Sequence, residues 1–204
     1  MPTLLHIDAS PRAQSVSSRL AAALVCRWLK HNPSGAVIHH NTTLEKMPYI
    51  DEAIVEAFYT PPADLTAEQK RALVFSDQLV DELLAADVIV LGVPMWNLGI
   101  PASLKAWIDL IVREGRTFLF TAQGVQSLLP AGKKVYVICA RGGAYPDASP
   151  AKAFDQQEPY LRAVLGVLGL ADIEFICAEN QSGDPQAAAE GEARAQSAIE
   201  TLAT

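Results

Sequence analysis

Four hydroxyls crowd one glycine-free loop, Ala9-Ser-Pro-Arg-Ala-Gln-Ser-Val-Ser-Ser18. Ser10, Ser15, Ser17 and Ser18 stand where a β-rich run gives way to a helical pattern. The unpaired amides and positive end of a helix N-terminus favour an anion there, and serine hydroxyls add short donors. Without glycine the loop is neither a G-x-G-x-x-G dinucleotide fingerprint nor a Walker A loop. A monophosphate suits it better than a pyrophosphate. Serines at such a place also simply cap a helix, so this loop alone leaves both readings open.

A second segment, Gly92-Val-Pro-Met-Trp-Asn-Leu-Gly-Ile-Pro101, follows the apolar run Asp87–Val93 and precedes a helix. Pro94 and Pro101 constrain the connection. Met95, Trp96 and Leu98 offer flat or soft apolar surface, and Asn97 offers amide donors and an acceptor. An aromatic heterocycle would be well served by this wall; otherwise Trp96 is a partly buried surface aromatic. Trp107, inside the next helix, reads as packing, and Asp109 as structural. The third segment is Cys139-Ala-Arg-Gly-Gly-Ala-Tyr145, where Gly142 and Gly143 permit a positive φ or a close approach to a ligand; the alternative is a simple turn.

The elements that must position these segments alternate. The sequence predicts strands at 3–8, 36–40, 87–93, 134–140 and 172–178, and helices at 17–30, 66–85, 102–113, 151–168 and 185–202. Thr66-Ala-Glu-Gln69 has capping-box spacing. Residues 41–62 read as a long irregular connection and 115–130 as an excursion without clear period. Such alternation implies an α/β fold: a flavodoxin-like, doubly wound, five-stranded parallel sheet in the order 2-1-3-4-5, with helices on both faces, as one domain over 1–204. The loops after strands 1, 3 and 4 then converge on one cleft at the topological switch point.

Composition narrows the function classes. The chain is 50% hydrophobic and 19% charged, with a formal net charge of −7, and its pI is about 5.1. Basic residues are dispersed, which argues against nucleic-acid binding. No apolar run is long enough to span a membrane, and no signal cleavage site is visible. Cys26, Cys139 and Cys177 read as small core hydrophobes in a reducing compartment, so the cytoplasm is the expected location. The four histidines, His6, His31, His39 and His40, lack metal-ligand spacing, no metal site is expected, and no G-x-S-x-G elbow is present.

The segments together resemble the FMN-dependent NADH-azoreductases, a branch of the flavodoxin-like NAD(P)H quinone oxidoreductases. The resemblance runs through Ser10…Ser15-x-Ser17, Pro-Met-Trp-Asn97, Leu104-Lys-x-Trp-Ile-Asp109, Gly115-x-Thr-Phe118, Gly132-Lys-Lys, Arg141-Gly-Gly143 and Tyr160-Leu, and covers essentially the whole chain. It implies that Ser10, Ser15, Val16 and Ser17 hold the FMN phosphate and the adjoining ribityl chain. Met95, Trp96, Asn97 and Leu98 would line the isoalloxazine ring, with Asn97 tuning it. Ala140, Arg141, Gly142 and Gly143 would close the polar edge, largely through backbone groups. Tyr is common in the family where this chain has Trp96, and Ser or Thr where it has Ala140.

The resemblance further implies a flavin enzyme that takes hydride from NADH or NADPH and reduces quinones and azo compounds by ping-pong transfer, with no obligatory side-chain acid. It implies a homodimer whose active sites lie at the subunit interface, with Phe118 and Phe120 on the loop that completes the partner's site. A flavodoxin-like electron carrier that does not oxidise NAD(P)H directly is the alternative that shares fold and cofactor.

Overall fold

The computed structural model describes residues 1–202. Five parallel strands form the central sheet: β1 (Thr3–Asp8), β2 (Ala36–Asn41), β3 (Val88–Pro94), β6 (Lys134–Ala140) and β7 (Ile173–Ala178). Their spatial order is β2-β1-β3-β6-β7, which is the expected 2-1-3-4-5 once the two strands of a separate hairpin, β4 (Phe118–Thr121) and β5 (Gly124–Ser127), are left out.

Period-two alternation sorts strand residues between two cores. Leu5, Ile7, Ile89, Leu91, Val93, Val135, Val137 and Cys139 face α3 (Ala67–Ala85), α4 (Ala102–Ile111) and α5 (Gln157–Val167). Leu4, Val90, Tyr136, Ile138 and Ile176 face α1 (Val16–His31) and α6 (Pro185–Thr201). Gly92 belongs to the second face. A Cβ there would come within 3.3 Å of the Ala21 Cβ and 3.5 Å of the Ser17 carbonyl oxygen, so its absence lets α1 lie close to β3.

Several expectations change. The stretch 41–62 contains a helix, α2 (Glu52–Tyr59), capped by Asp51, whose side chain accepts from the Ile54 amide. The excursion at 115–130 holds the antiparallel β4–β5 pair. The helix expected at 151–168 is two pieces: a 3-10 turn, Pro150–Phe154, and α5. The break falls at Asp155, whose Oδ1 takes the amides of Gln157 and Glu158. Cys26 lies exposed on α1 rather than in the core, Cys139 is buried and Cys177 is half-buried. The Thr66–Gln69 capping box is present in both directions. Among the described residues no helix is long and apolar enough to cross a membrane.

Two histidines give the fold a pH window. Burial, aided by the neighbouring His39, lowers His6 from 6.5 to about 4. Burial also opposes the charged form of His40, but hydrogen bonds to Glu45 (2.5 Å) and Glu82 (2.6 Å) outweigh it and raise His40 above 6.5. As pH falls from 6.5 toward 4, unfolded His6 takes a proton that the folded residue refuses, so stability falls, by at most about 3 kcal/mol. As pH rises from 6.5 through the raised value of His40, the proton shared with the two glutamates is lost and stability falls again. Stability is therefore expected to peak near pH 6.5. Unfolding free energies from denaturant titrations should show H6L flattening the acid limb and H40Q the alkaline limb; parallel profiles for wild type and both variants would refute this assignment.

Candidate active site

The loop after β1 is shaped from beneath by a buried carboxylate. Asp8 Oδ1 accepts from the Ser10 amide (3.2 Å) and from the Ser18 hydroxyl (2.8 Å), while Oδ2 accepts from Asn41 Nδ2 (3.3 Å). Ser15 caps α1, its hydroxyl taking the Ser18 amide at 3.3 Å and lying 3.1 Å from the Ser17 hydroxyl. Ser10, Ser15 and Ser17 are all buried. Val16 and Ser17 occupy the first turn of the 16-residue α1, and among the described residues no protein acceptor meets their amides. Two free amides, adjacent hydroxyls and a helix N-terminus make a donor set for an oxyanion.

The segment after β3 turns sharply. The amides and carbonyls of Trp96 and Gly99 bond to each other at 3.0 Å in both directions, and the two residues between them, Asn97 (φ 47°) and Leu98 (φ 73°), are left-handed. Left-handed backbone is unfavourable for residues with a Cβ, and such strain concentrates where a side chain must be aimed. Here it throws Trp96, Asn97 and Leu98 outward; Trp96 remains 49% exposed. The Met95 amide bonds the Ala140 carbonyl at 2.8 Å, which ties this segment to the end of β6.

The third segment is laced to the loop after β7. The amides of Gln181 and Ser182 bond the carbonyls of Arg141 (2.9 Å) and Gly142 (3.1 Å). Neither Gly142 nor Gly143 has a positive φ; a Cβ on Gly142 would stand 2.8 Å from the Ser182 hydroxyl, which can rotate aside, and one on Gly143 would make only ordinary contacts with Tyr145. Among the described residues the Gly142 and Gly143 amides meet no protein acceptor. The Arg141 side chain turns inward, to Gln157 Oε1 (2.9 Å) and Asp155 Oδ2 (3.4 Å); its amide bonds the Ala178 carbonyl, its carbonyl takes the Gln181 amide, and it does not line the cleft.

The three segments meet. One cleft of about 180 Å³ touches Ser10, Ser15 and Val16 of the first, Pro94, Met95 and Trp96 of the second, and Ala140 and Gly142 of the third. A neighbouring opening of about 450 Å³ lies on Trp96, Asn97 and Ile100. Arg12, Gln181 and Ser182 also line the first cleft and were missed in the sequence. Arg12 lies within the serine loop and its cation could have marked it. The polar run Asn180-Gln-Ser182 looks like any other turn until the fold sets it beside Gly142. Phe118 and Phe120 are not brought here. Phe118 is buried, and Phe120, 67% exposed, meets it edge-on at 5.2 Å. Both line a separate groove of about 340 Å³ with Val55, Phe58, Tyr59 and Val112.

The residues present fit flavin mononucleotide: an oxyanion donor set at one end, flat apolar surface in the middle, and free backbone amides opposite. Among the described residues no His, Cys, Asp or Glu cluster is placed to hold a metal ion.

Comparison with known proteins points the same way. The family model described as flavodoxin-like fold matches residues 2–202. The chain is 44% identical over 200 residues to an FMN-dependent NADH:quinone oxidoreductase of Nostoc sp., covering 98% of this chain and 97% of the relative. It superposes on the azoreductase AzrA with a TM-score of 0.88 at 30% identity, covering 97% and 96% of the two chains. An FMN-dependent NADH-azoreductase of Bacillus anthracis, solved in complex with FMN, shares the fold at a TM-score of 0.86 and 24% identity, with both chains fully covered.

Proposed function

We infer how this site works from one premise: the chain belongs to the flavodoxin-like family of FMN-dependent NADH:quinone oxidoreductases. It is an FMN-dependent NADH oxidoreductase acting on quinones and azo compounds. The chemistry that bound FMN supplies is two-electron transfer, hydride in from NADH and hydride out to the acceptor.

The protein's part is binding, orientation and electrostatics. Ser10, Ser15, Val16 and Ser17 hold the phosphate, with the Arg12 cation at the rim. Met95, Trp96, Asn97 and Leu98 form the wall under the ring. The strained turn presents the Asn97 carboxamide outward, where it tunes the ring's polar edge. The free amides of Gly142 and Gly143 would stabilise negative charge at the opposite edge, while the Ala140 carbonyl and the Arg141 amide and carbonyl, bonded within the protein, hold that segment in place. With FMN held there, the same open cleft would receive donor and acceptor in turn, so the expected kinetics are ping-pong.

We also propose a homodimer in which the groove carrying Phe118 and Phe120 completes the partner's site. The separation of that groove from the chain's own cleft, together with the exposed Tyr59, Phe120 and Val125, supports this reading. Ion pairs from Arg113 and Arg116 to Asp77, both 2.6 Å, brace the hairpin that carries it. Three cysteines without a disulfide suit the cytoplasm.

The observation that carries the assignment is the meeting of three donor-rich loops at the carboxyl ends of β1, β3 and β6. Purified protein loaded with FMN should be bleached by NADH without oxygen and recover its colour on adding a quinone. Bleaching only through a separate reductase would establish the electron-carrier alternative instead.

A further inference from the structure

We propose that Gln157, a residue that touches no ligand, is the positioning residue that sets the spacing between the two ring-facing loops. This rests on the flavin reading above. Gln157 is fully buried, at 0% exposure, and its carboxamide is used at both ends. Its Nε2 donates to the Val93 carbonyl at 3.1 Å, and its Oε1 accepts from Arg141 Nε at 2.9 Å. Val93 opens the Pro94–Leu98 segment, and Arg141 opens the Gly142–Gly143 segment. One side chain therefore bridges the roots of both.

The Val93 carbonyl lies on the inner side of β3. The Ala9 amide bonds the Gly92 carbonyl, so that carbonyl faces β1 and the next one turns toward β6, where Val93 is in register with Cys139. Gln157 adds a side-chain donor to it from α5. The adjoining residues complete the clamp. The Gln156 amide bonds the Leu98 carbonyl at 3.1 Å, pinning the far end of the strained turn. Asp155 Oδ2 and Glu158 Oε2 lie 3.4 and 3.5 Å from the Arg141 guanidinium. Arg141 and Asp155 are themselves buried, so this charge pair is held in low dielectric and its geometry is stiff. The break between the 3-10 turn and α5 is what delivers the Asp155-Gln156-Gln157 corner to this place.

Two near-isosteric variants separate positioning from plain packing. Q157M removes both bonds. Q157E keeps the acceptor for Arg141 but sets a carboxylate against the Val93 carbonyl, and so loses that donor. Each is expected to weaken FMN binding about tenfold in a fluorescence titration, the size expected for one buried hydrogen bond. Each should also change the visible circular-dichroism band of the bound flavin. The ratio of FMN to riboflavin affinity, which reports the serine loop, should stay at its wild-type value. A lowered melting temperature with unchanged FMN affinity and an unchanged circular-dichroism band in both variants would overturn the proposal alone. If Q157M does not fold, Q157E decides by the same readings. A wild-type protein that takes up no FMN would overturn the cofactor reading instead.

Discussion

The variant S17D is expected to purify colourless and to bind FMN about a thousandfold more weakly than wild type. Ser17 is fully buried in the first turn of α1, with its hydroxyl 3.1 Å from that of Ser15. A carboxylate there would take the free amides for itself and repel the phosphate. Two like charges about 4 Å apart at an effective dielectric near 20 oppose each other by about 4 kcal/mol, which is the stated loss in affinity. The same carboxylate gains from the helix N-terminus but costs desolvation and space at a site with no exposed surface. Melting temperature should therefore fall somewhat while FMN binding collapses, and riboflavin binding should change little. Titration by flavin fluorescence beside a thermal melt checks all three. FMN affinity within tenfold of wild type would mean that the phosphate lies elsewhere.

G191A should destabilise the protein by about 3 kcal/mol, the upper range for overpacking, although helix propensity alone predicts the opposite sign. In an exposed helix, alanine is better than glycine by about 1 kcal/mol. Gly191, however, is where α6 crosses the end of β7. A Cβ there would stand 2.1 Å from the Glu179 carbonyl oxygen and 3.1 Å from its carbon, and backbone atoms cannot swing aside. α6 would have to lift, carrying Ala195 and Ile199 out of the core. For a chain of this size the melting temperature should fall by roughly 10 °C. Glu179 leads into the Asn180–Ser182 turn that holds Gly142, so FMN affinity should fall too. A thermal melt of the FMN-free variant within 2 °C of wild type, a tolerance of about 1 kcal/mol, would contradict this packing.

The parts of the site that were legible before folding are those with local causes. A run such as Val88-Ile-Val-Leu91 is apolar on both faces and has no place except a buried strand. The serine loop, the Pro94–Leu98 segment and the double glycine each stood out by residue type. The β4–β5 hairpin did not, because its turn, Thr121-Ala-Gln-Gly124, lacks an Asn-Gly or Asp-Gly pair, and Phe118-Leu-Phe does not alternate. α2 was hidden by its eight residues and the flanking Pro48, Pro61 and Pro62. The break before α5 could have been read from Asp155 followed three residues later by Glu158, an N-terminal pattern set inside an apolar period.

The positioning residues are a different case. Asp8 reads as the polar end of a strand and Gln157 as one polar helix residue among several. What makes Asp8 the floor of the serine loop is its reach to Ser10, Ser18 and Asn41 from three parts of the chain. What makes Gln157 a bridge is its reach from α5 to the Val93 carbonyl on β3 and to the Arg141 guanidinium after β6. Both are properties of the assembled sheet. The inward turn of Arg141 is likewise a tertiary result, set by Gln157 and Asp155.

The central claim is that the loops after β1, β3 and β6 form one site, with a phosphate cradle at one end and a ring wall at the other. Parallel titration of the FMN-free protein with FMN and with riboflavin tests it most directly, because the two ligands share the ring and ribityl chain and differ only in the phosphate. Both should quench on binding, and FMN should bind at least a hundredfold more tightly, about 3 kcal/mol for charge-assisted bonds to the serine loop. Equal affinities, or no uptake of either, would contradict it.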